Sequence, residues 1–296
     1  MHLTDAQSLP DPARPVLLAG PTASGKSTLA MAWARAQGRV IVNADALQVY
    51  DCWHVLTARP PIRDTDAVPH LLYGHIDRST AYSVGHWLRE VADVLARHSN
   101  PVIVGGTGLY FSALTRGLAD IPPTPPGVRA DADGLLASGG GAAMLAALDP
   151  DTRARIDTQN PARIQRAWEV WKTTGRGLAS WQDDTAPPLV PLQACTAYVM
   201  AAPPDWLSPR VDSRLEAMVQ GGALDEVRKN LPFWQQSAPW ARAIGAPELT
   251  AHLQHQISLS DAVEAAKLAT RQYAKRQRTW FRNRMGTWTT VFVNEP

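Results

Sequence analysis

Apolar and polar residues alternate along this chain with two different periods. "PVLLAG" (Pro15–Gly20) is a short apolar run that stops at a glycine, the pattern of a strand buried on both faces. "STLAMAWARAQG" follows with apolar positions at helical spacing, and Gly38 closes it as a C-cap. "RVIVNAD" predicts a second buried strand, "VGHWLREVADVLARHSN" an amphipathic helix, and "PVIVGGTG" a third buried strand. Strand, helix, strand, helix, strand predicts a parallel sheet with right-handed crossovers.

The pattern then breaks. "IPPTPPG" (Ile121–Gly127) is a rigid, proline-rich exit, and the stretch beyond it predicts short helices joined by a glycine run. A second proline-rich hinge, "TAPPLVPLQ" (Thr185–Gln193), leads to "ACTAYVM", a returning strand. Residues 122–187 are therefore expected to form a helical insertion domain in an α/β core made of residues 14–121 plus 188–296. The C-terminal part is helical and ends in "SDAVEAAKLATRQYAKRQRTWFRNR". The first 15 residues are expected to fray.

Composition narrows the class. The chain has 296 residues, 45% hydrophobic and 19% charged, which suits a globular core with an insert. No apolar run approaches the roughly 20 residues that span a bilayer, so no membrane association is expected. "MHLTDAQSLPDPARP" has no leader-like apolar stretch. Cys52 and Cys195 lie far apart without metal-ligand spacing, as free thiols of a cytoplasmic protein would. A net charge of +2 neither demands nor excludes a nucleic acid.

The chemistry starts at Gly20-x-x-x-x-Gly25-Lys26-Ser27, which fits the phosphate-binding loop pattern and lies between a predicted strand and a predicted helix. In such a loop the backbone of Gly20, Thr22, Ala23, Ser24 and Gly25 turns toward phosphate oxygens. Lys26 neutralises charge, and the Ser27 hydroxyl is placed for Mg²⁺. The expected fold class is accordingly α/β, a P-loop NTPase-like parallel sheet with a helical insertion domain. The motif alone implies a di- or triphosphate, not a nucleotide. The third strand ends in "GGTG", with no acid where an ATPase holds its metal, and no Asn-Lys-x-Asp run reads guanine. The acid appears instead after the second strand, as Asp45 in "VNADALQVY". Strand C-termini face the ligand crevice of such sheets, so Asp45 suits a general base; it suits a helix N-cap equally well. Thr107 is either a second crevice group or a turn residue.

Arg271 to Arg284 contains six basic residues and no acid. Arg271, Lys275, Arg278 and Arg282 share one helix face, and Ala262, Ala266, Ala269, Tyr273 and Trp280 are expected on the buried one. Such a stripe suits a polyanion or simply a solvated helix end. Arg163 and Arg166 form a second basic pair, beside Trp168 and Trp171, which read as packing residues before base-stacking ones.

"GPTASGKST", "VNADALQVY", "TARP", "VGGTGLYFSALTRGL", "NPARIQRAWEV" and "ATRQYAKRQRTW" occur in an order that resembles the tRNA dimethylallyltransferases, over most of the chain from about Val16 to Trp280. The resemblance implies transfer of a dimethylallyl group from its diphosphate to the exocyclic amine of the adenine 3′ of a tRNA anticodon, with the loop holding prenyl diphosphate and Mg²⁺ as cofactor. It implies Asp45 as base, Thr107 as the crevice threonine, and Arg210 as a diphosphate ligand. It also implies tRNA contacts at Asp45, Ala46, Leu47, Gln48, Thr107, Arg129, Arg163, Arg166, Arg271, Lys275 and Arg278. The expected partners are the anticodon stem-loop and dimethylallyl diphosphate, and a monomer is expected. Two stretches depart from the family pattern: "CWHVLTARP" stands for a "GMDIGTAKP"-like run, and "IGAP" (Ile244–Pro247) for "VGYR". A small-molecule kinase using ATP, a non-catalytic tRNA-binding module and prenyl transfer to a free adenine nucleotide are the competing readings.

Overall fold

A computed structural model of the chain describes residues 9–293. Its sheet is six-stranded and all parallel. The strands are β1 (Val16–Ala19), β2 (Ile41–Asn43), β3 (His70–Leu71), β4 (Val102–Gly105), β5 (Thr196–Ala201) and β6 (Thr289–Phe292), in the order β3-β2-β4-β1-β5-β6. β1 is central and pairs with β4 on one side and β5 on the other, Val16 opposite Val102 and Thr196. The continuous apolar run follows from this placement. Val16 and Leu18 join the core on one face of the sheet, and Leu17 and Ala19 the core on the other. The two edge strands, β3 and β6, carry no apolar run and are not apparent in the sequence.

The core helices are α1 (Lys26–Gln37), α2 (Ile62–Ala67), α3 (Val84–Arg97) and α4 (Gly108–Arg116). The helical insert contributes α5 (Pro126–Ala137), α6 (Gly141–Ala146), α7 (Pro150–Arg155), α8 (Pro161–Thr174) and α9 (Leu178–Asp183). The core resumes with α10 (Pro204–Met218), α11 (Leu224–Asn230), α12 (Ala246–Leu253) and α13 (Leu259–Arg284). Local chemistry fixes several ends. Gly38 closes α1 at φ 64, Ser83 caps α3 through His86 N, and Ser258 caps α13 through Asp261 N. The stretch "IGAP" starts α12, with Gly245 at φ 92 before the helix and Pro247 in its first turn.

The expected fraying of the N-terminal tail can be compared only from residue 9 onward. Its first eight residues lie outside the described ones. Residues 10–14 are tied down: Arg39 donates to the Asp11 and Arg14 carbonyls at 2.7 and 2.8 Å, Gln37 to Pro10 O and Asn100 to Pro12 O, both at 2.8 Å. Fraying is corrected there because these carbonyls find side-chain donors on the core.

Arg116–Leu189 forms a compact unit of its own. Its interior is Ala132, Met144, Leu148, Ile164, Ala167 and Trp168. Asn160 caps α8 by accepting from Ala162 N and Arg163 N, and Asp149 caps α7 by accepting from Thr152 N.

Candidate active site

The loop between β1 and α1 is shaped as a phosphate cradle. Gly25 precedes α1 at φ 84, a left-handed conformation that favours glycine. No side chain caps α1 and its first turn holds no acid, so its leading amides and its dipole are left for an anion. The Ser24 hydroxyl is buried without a protein partner. Lys26 lies back along the loop, its Nζ 3.2 Å from Pro21 O. Burial pushes the Lys26 ammonium down to about 8, against the pull of Asp45 and with the push of Arg214. Ser27 is exposed at the rim.

Asp45 faces this cradle from the end of β2. Buried Asn43 builds the turn: its Oδ1 accepts from Asp45 N at 2.8 Å, and its Nδ2 donates to Asp45 O and Leu72 O at 3.0 and 2.9 Å. One Asp45 oxygen accepts from Leu47 N at 3.0 Å. That is an Asx turn, and no helix follows it, so the N-cap reading does not hold. The other oxygen, Oδ2, lies 3.3 Å from the point a Cβ on Gly106 would occupy. Thr107 sits beneath the same turn, where its hydroxyl accepts from Ala46 N at 2.9 Å and so holds the Asp45 loop in place.

Asp45, Lys26, Ser27 and Thr22 share a cavity of about 100 Å³ with an apolar wall of Leu47, Leu56, Val211, Leu215, Met218 and Ile244. Arg214 also lines it, and sequence reasoning missed this residue. It lies four positions after Arg210, hence on the same face of α10, and that spacing was the available signal. Burial lowers the Arg214 pKa and the Asp45 charge offsets it. Tyr73 and Tyr273 complete the wall. Burial first and the Asp45 charge second push both hydroxyls upward, which keeps them protonated donors. A second cavity, about 330 Å³, runs along Ala23–Thr28 and is bounded by Arg210 and Arg214. The Arg210 guanidinium lies 4.0 Å from the Trp206 ring centre. Gln48 lines both cavities and donates to Thr57 O and Ala58 O at 2.8 and 3.0 Å.

The loop that departs from the family pattern forms part of this wall. Glu226 of α11 gathers three consecutive amides: its Oε1 accepts from His54 N and, at 3.1 Å, from Val55 N, and its Oε2 from Leu56 N at 2.8 Å. Trp53 Nε1 donates to Trp240 O at 2.9 Å, and Asn230 Nδ2 to Cys52 O at 2.9 Å.

The last helix enters the site by its buried face. Ala262 and Ala266 are buried there as expected, but Ala269, Tyr273 and Trp280 are only partly so. The face also buries Lys267, which pairs with Glu216 and Glu264 at 2.6 and 2.7 Å, and Gln277, which hydrogen-bonds the phosphate loop. On the outer face Lys275, Arg276 and Arg282 are exposed. Arg271 is held by Asp212 of α10, at 2.6 and 2.8 Å from its two oxygens, so the stripe is one charge weaker than its spacing predicts. Lys275 and Arg278 flank a groove with Pro204, Leu207 and Val211. In the insert, Arg129 and Arg166 both reach the buried Glu169, at 2.9 and 3.8 Å, and Arg163 pairs with Asp157 at 3.5 Å. Trp168 packs in the insert's interior, and Lys172 lies over the rings of Trp168 and Trp171.

Fold and crevice together define a P-loop-type α/β protein in which a carboxylate just after the second strand, not one on the strand beside the loop, confronts the phosphate cradle. The sequence profile of the IPP transferases matches residues 48–284. The chain is similar to a tRNA dimethylallyltransferase of Cereibacter sphaeroides, 63% identical over 98% of this chain and 92% of that protein. One from Dinoroseobacter shibae is 60% identical, over 94% of each. Among solved structures, a tRNA isopentenylpyrophosphate transferase from Bacillus halodurans superposes with a TM-score of 0.66 at 29% identity, over 96% of this chain and 91% of that one. A eukaryotic dimethylallyltransferase shares the fold, with a TM-score of 0.76 at 24% identity over 94% and 73%. The chain belongs to the IPP transferase family and is a transferase.

Proposed function

We propose that the protein transfers a dimethylallyl group from dimethylallyl diphosphate to the exocyclic amine of the adenine 3′ of a tRNA anticodon, releasing diphosphate. The observation that carries this is that Asp45 lines one small cavity with Lys26 and Arg214, whose charges it feels, and with an apolar wall. The diphosphate lies in the cradle, held by the amides of Ala23, Gly25 and the start of α1 with Lys26, Arg210 and Arg214, because the Gly20, Thr22 and Ser24 amides expected there already donate to Gly105 O, Gln277 Oε1 and Pro21 O, while the five-carbon group takes the apolar wall. The carbon–oxygen bond to diphosphate breaks and its electron pair leaves with diphosphate, whose growing charge the two arginines and Lys26 stabilise. The adenine nitrogen bonds to the allylic carbon, and Asp45 accepts the amine proton. Thr107 acts by holding the Asp45 turn.

The residues present fit a magnesium ion on the diphosphate. Ser27 supplies a hydroxyl at the loop's end, and among the described residues no cluster of three or more His, Cys, Asp or Glu side chains forms a competing cage. Such an ion supplies further charge neutralisation on the diphosphate when bound. Lys275, Arg278 and the arginines of the insert are assigned to the tRNA, whose loop adenine is extruded at a cost of a few kcal/mol. No helix among the described residues is long and apolar enough to cross a membrane. The protein acts as a monomer in the cytoplasm on this reading.

Incubation with unmodified tRNA and dimethylallyl diphosphate, followed by nucleoside mass spectrometry, tests the proposal. Prenylated adenosine beside the anticodon is expected. Its absence, or release of ADP when ATP is offered instead, overturns it.

A further inference from the structure

Gln277 is a buried polar side chain in the C-terminal part of α13, and the transfer chemistry above does not use it. Its Oε1 accepts from Thr22 N at 2.9 Å and its Nε2 donates to Gly106 O at 2.9 Å. These partners lie 255 and 171 residues away in the chain, one in the phosphate loop and the other in the turn after β4. Tyr273, one turn earlier on the same helix, lines the cavity wall.

Gly106 shows how closely these groups meet. A Cβ there would lie 2.3 Å from Gln277 Nε2 and 3.3 Å from Asp45 Oδ2, so the amide head and the base carboxylate flank one point that only a glycine leaves open. A primary amide is suited to this place. It is a neutral planar group with a donor and an acceptor at opposite corners, so it satisfies an amide N–H and a carbonyl at once without placing charge beside Asp45. A carboxylate would turn an acceptor toward Gly106 O. A hydrocarbon would leave both backbone groups without partners.

We propose that Gln277 is a positioning residue that fixes the spacing between the phosphate loop and the general base by clamping Thr22 and Gly106 to one rigid helix. This rests on the transfer reaction proposed above. The outer face of the same helical turns carries Lys275, Arg276 and Arg278, so the clamp joins the diphosphate cradle to the element assigned to the polynucleotide. Reacting atoms must be placed to within about 1 Å, where a comparable error costs on the order of 10²-fold.

The test is a cycle of Q277A, G106A and the double variant. It reads turnover at saturating substrates, inorganic pyrophosphate affinity by calorimetry and tRNA affinity by filter binding. Q277A is expected to lower turnover roughly 10- to 100-fold and to weaken pyrophosphate binding several-fold, with tRNA affinity within about twofold. G106A pushes the amide away by its methyl group, which also stands 3.3 Å from Asp45 Oδ2, so its turnover loss should at least match that of Q277A, and the pyrophosphate affinity of the double variant should be no weaker than that of Q277A alone. Turnover of Q277A within threefold of wild type, or losses of pyrophosphate affinity that multiply in the double variant, overturns the clamp. If Q277A does not fold, Q277M keeps the volume, removes both hydrogen bonds and carries the same expectations. Pyrophosphate affinity reads the clamp without any turnover. A failure of the transfer reading, seen as a wild-type protein that prenylates no tRNA, is therefore distinguishable from a failure of this one.

Discussion

Replacing Glu226 with alanine takes one carboxylate away from three consecutive backbone amides. His54 is exposed, so water can replace its partner, but Val55 N and Leu56 N are partly sheltered at 3.1 and 2.8 Å from the carboxylate. A sheltered amide left without its partner costs about 1–3 kcal/mol. Two of them, with some relaxation, give a loss of about 2–4 kcal/mol, a large share of the roughly 5–15 kcal/mol that holds a domain folded. Glu226→Gln should lose about half as much, because its oxygen still accepts while its amino group faces one of the N–H donors. Urea unfolding followed by tryptophan fluorescence measures both, since Trp53 and Trp240 pack together at 5.7 Å beside this loop. Leu56 and Thr57 sit on the loop and line the cavity, so KM for the prenyl donor should rise while tRNA affinity holds. An unfolding free energy of Glu226→Ala within about 0.5 kcal/mol of wild type, with KM unchanged, would refute the account of how this divergent loop is held.

Asp45→Asn should slow single-turnover formation of prenylated tRNA by about 10²–10⁴ and leave tRNA retention on filters intact; unimpaired turnover removes the base role. Inorganic pyrophosphate prefers Lys26 as the ammonium. Its affinity relative to Lys26→Arg at the same pH, which cancels the ligand's own titration, should therefore be level below the Lys26 pKa of about 8 and fall up to tenfold per pH unit above it, where the protein must first take up a proton. Lys26→Arg should lack that inflection, and parallel profiles for the two proteins would contradict the assignment. Lys275→Ala should reduce the slope of log affinity for tRNA against log salt by about 0.7–0.9, whereas Arg271→Ala, whose charge is spent on Asp212, should lower stability by about 1 kcal/mol and change the slope less. Equal slope changes would mean that the Asp212 pair opens when tRNA binds.

Much of this protein is written locally. The buried strands Val16–Ala19 and Val102–Gly105 show as unbroken apolar runs because helices cover both faces of a parallel sheet. The phosphate loop is legible because its function depends on the order of a few adjacent backbone amides, a property of consecutive residues. Spacing also brings Arg271 and Lys275 to one helix face. Other features were settled only when distant segments met. Whether Asp45 caps a helix or faces a cavity depends on the turn that Asn43 and Thr107 build around it, and Thr107 arrives from another strand. Arg271 looked like a free cation until Asp212, 59 residues earlier, lay beside it. Gln277 reads as one more polar position in a basic helix, yet it closes two hydrogen bonds to segments 171 and 255 residues away. Periodicity and capping report the interactions of a residue with its neighbours along the chain. Which buried donor meets which acceptor is decided by packing, and packing brings together residues whose separation in sequence carries no pattern.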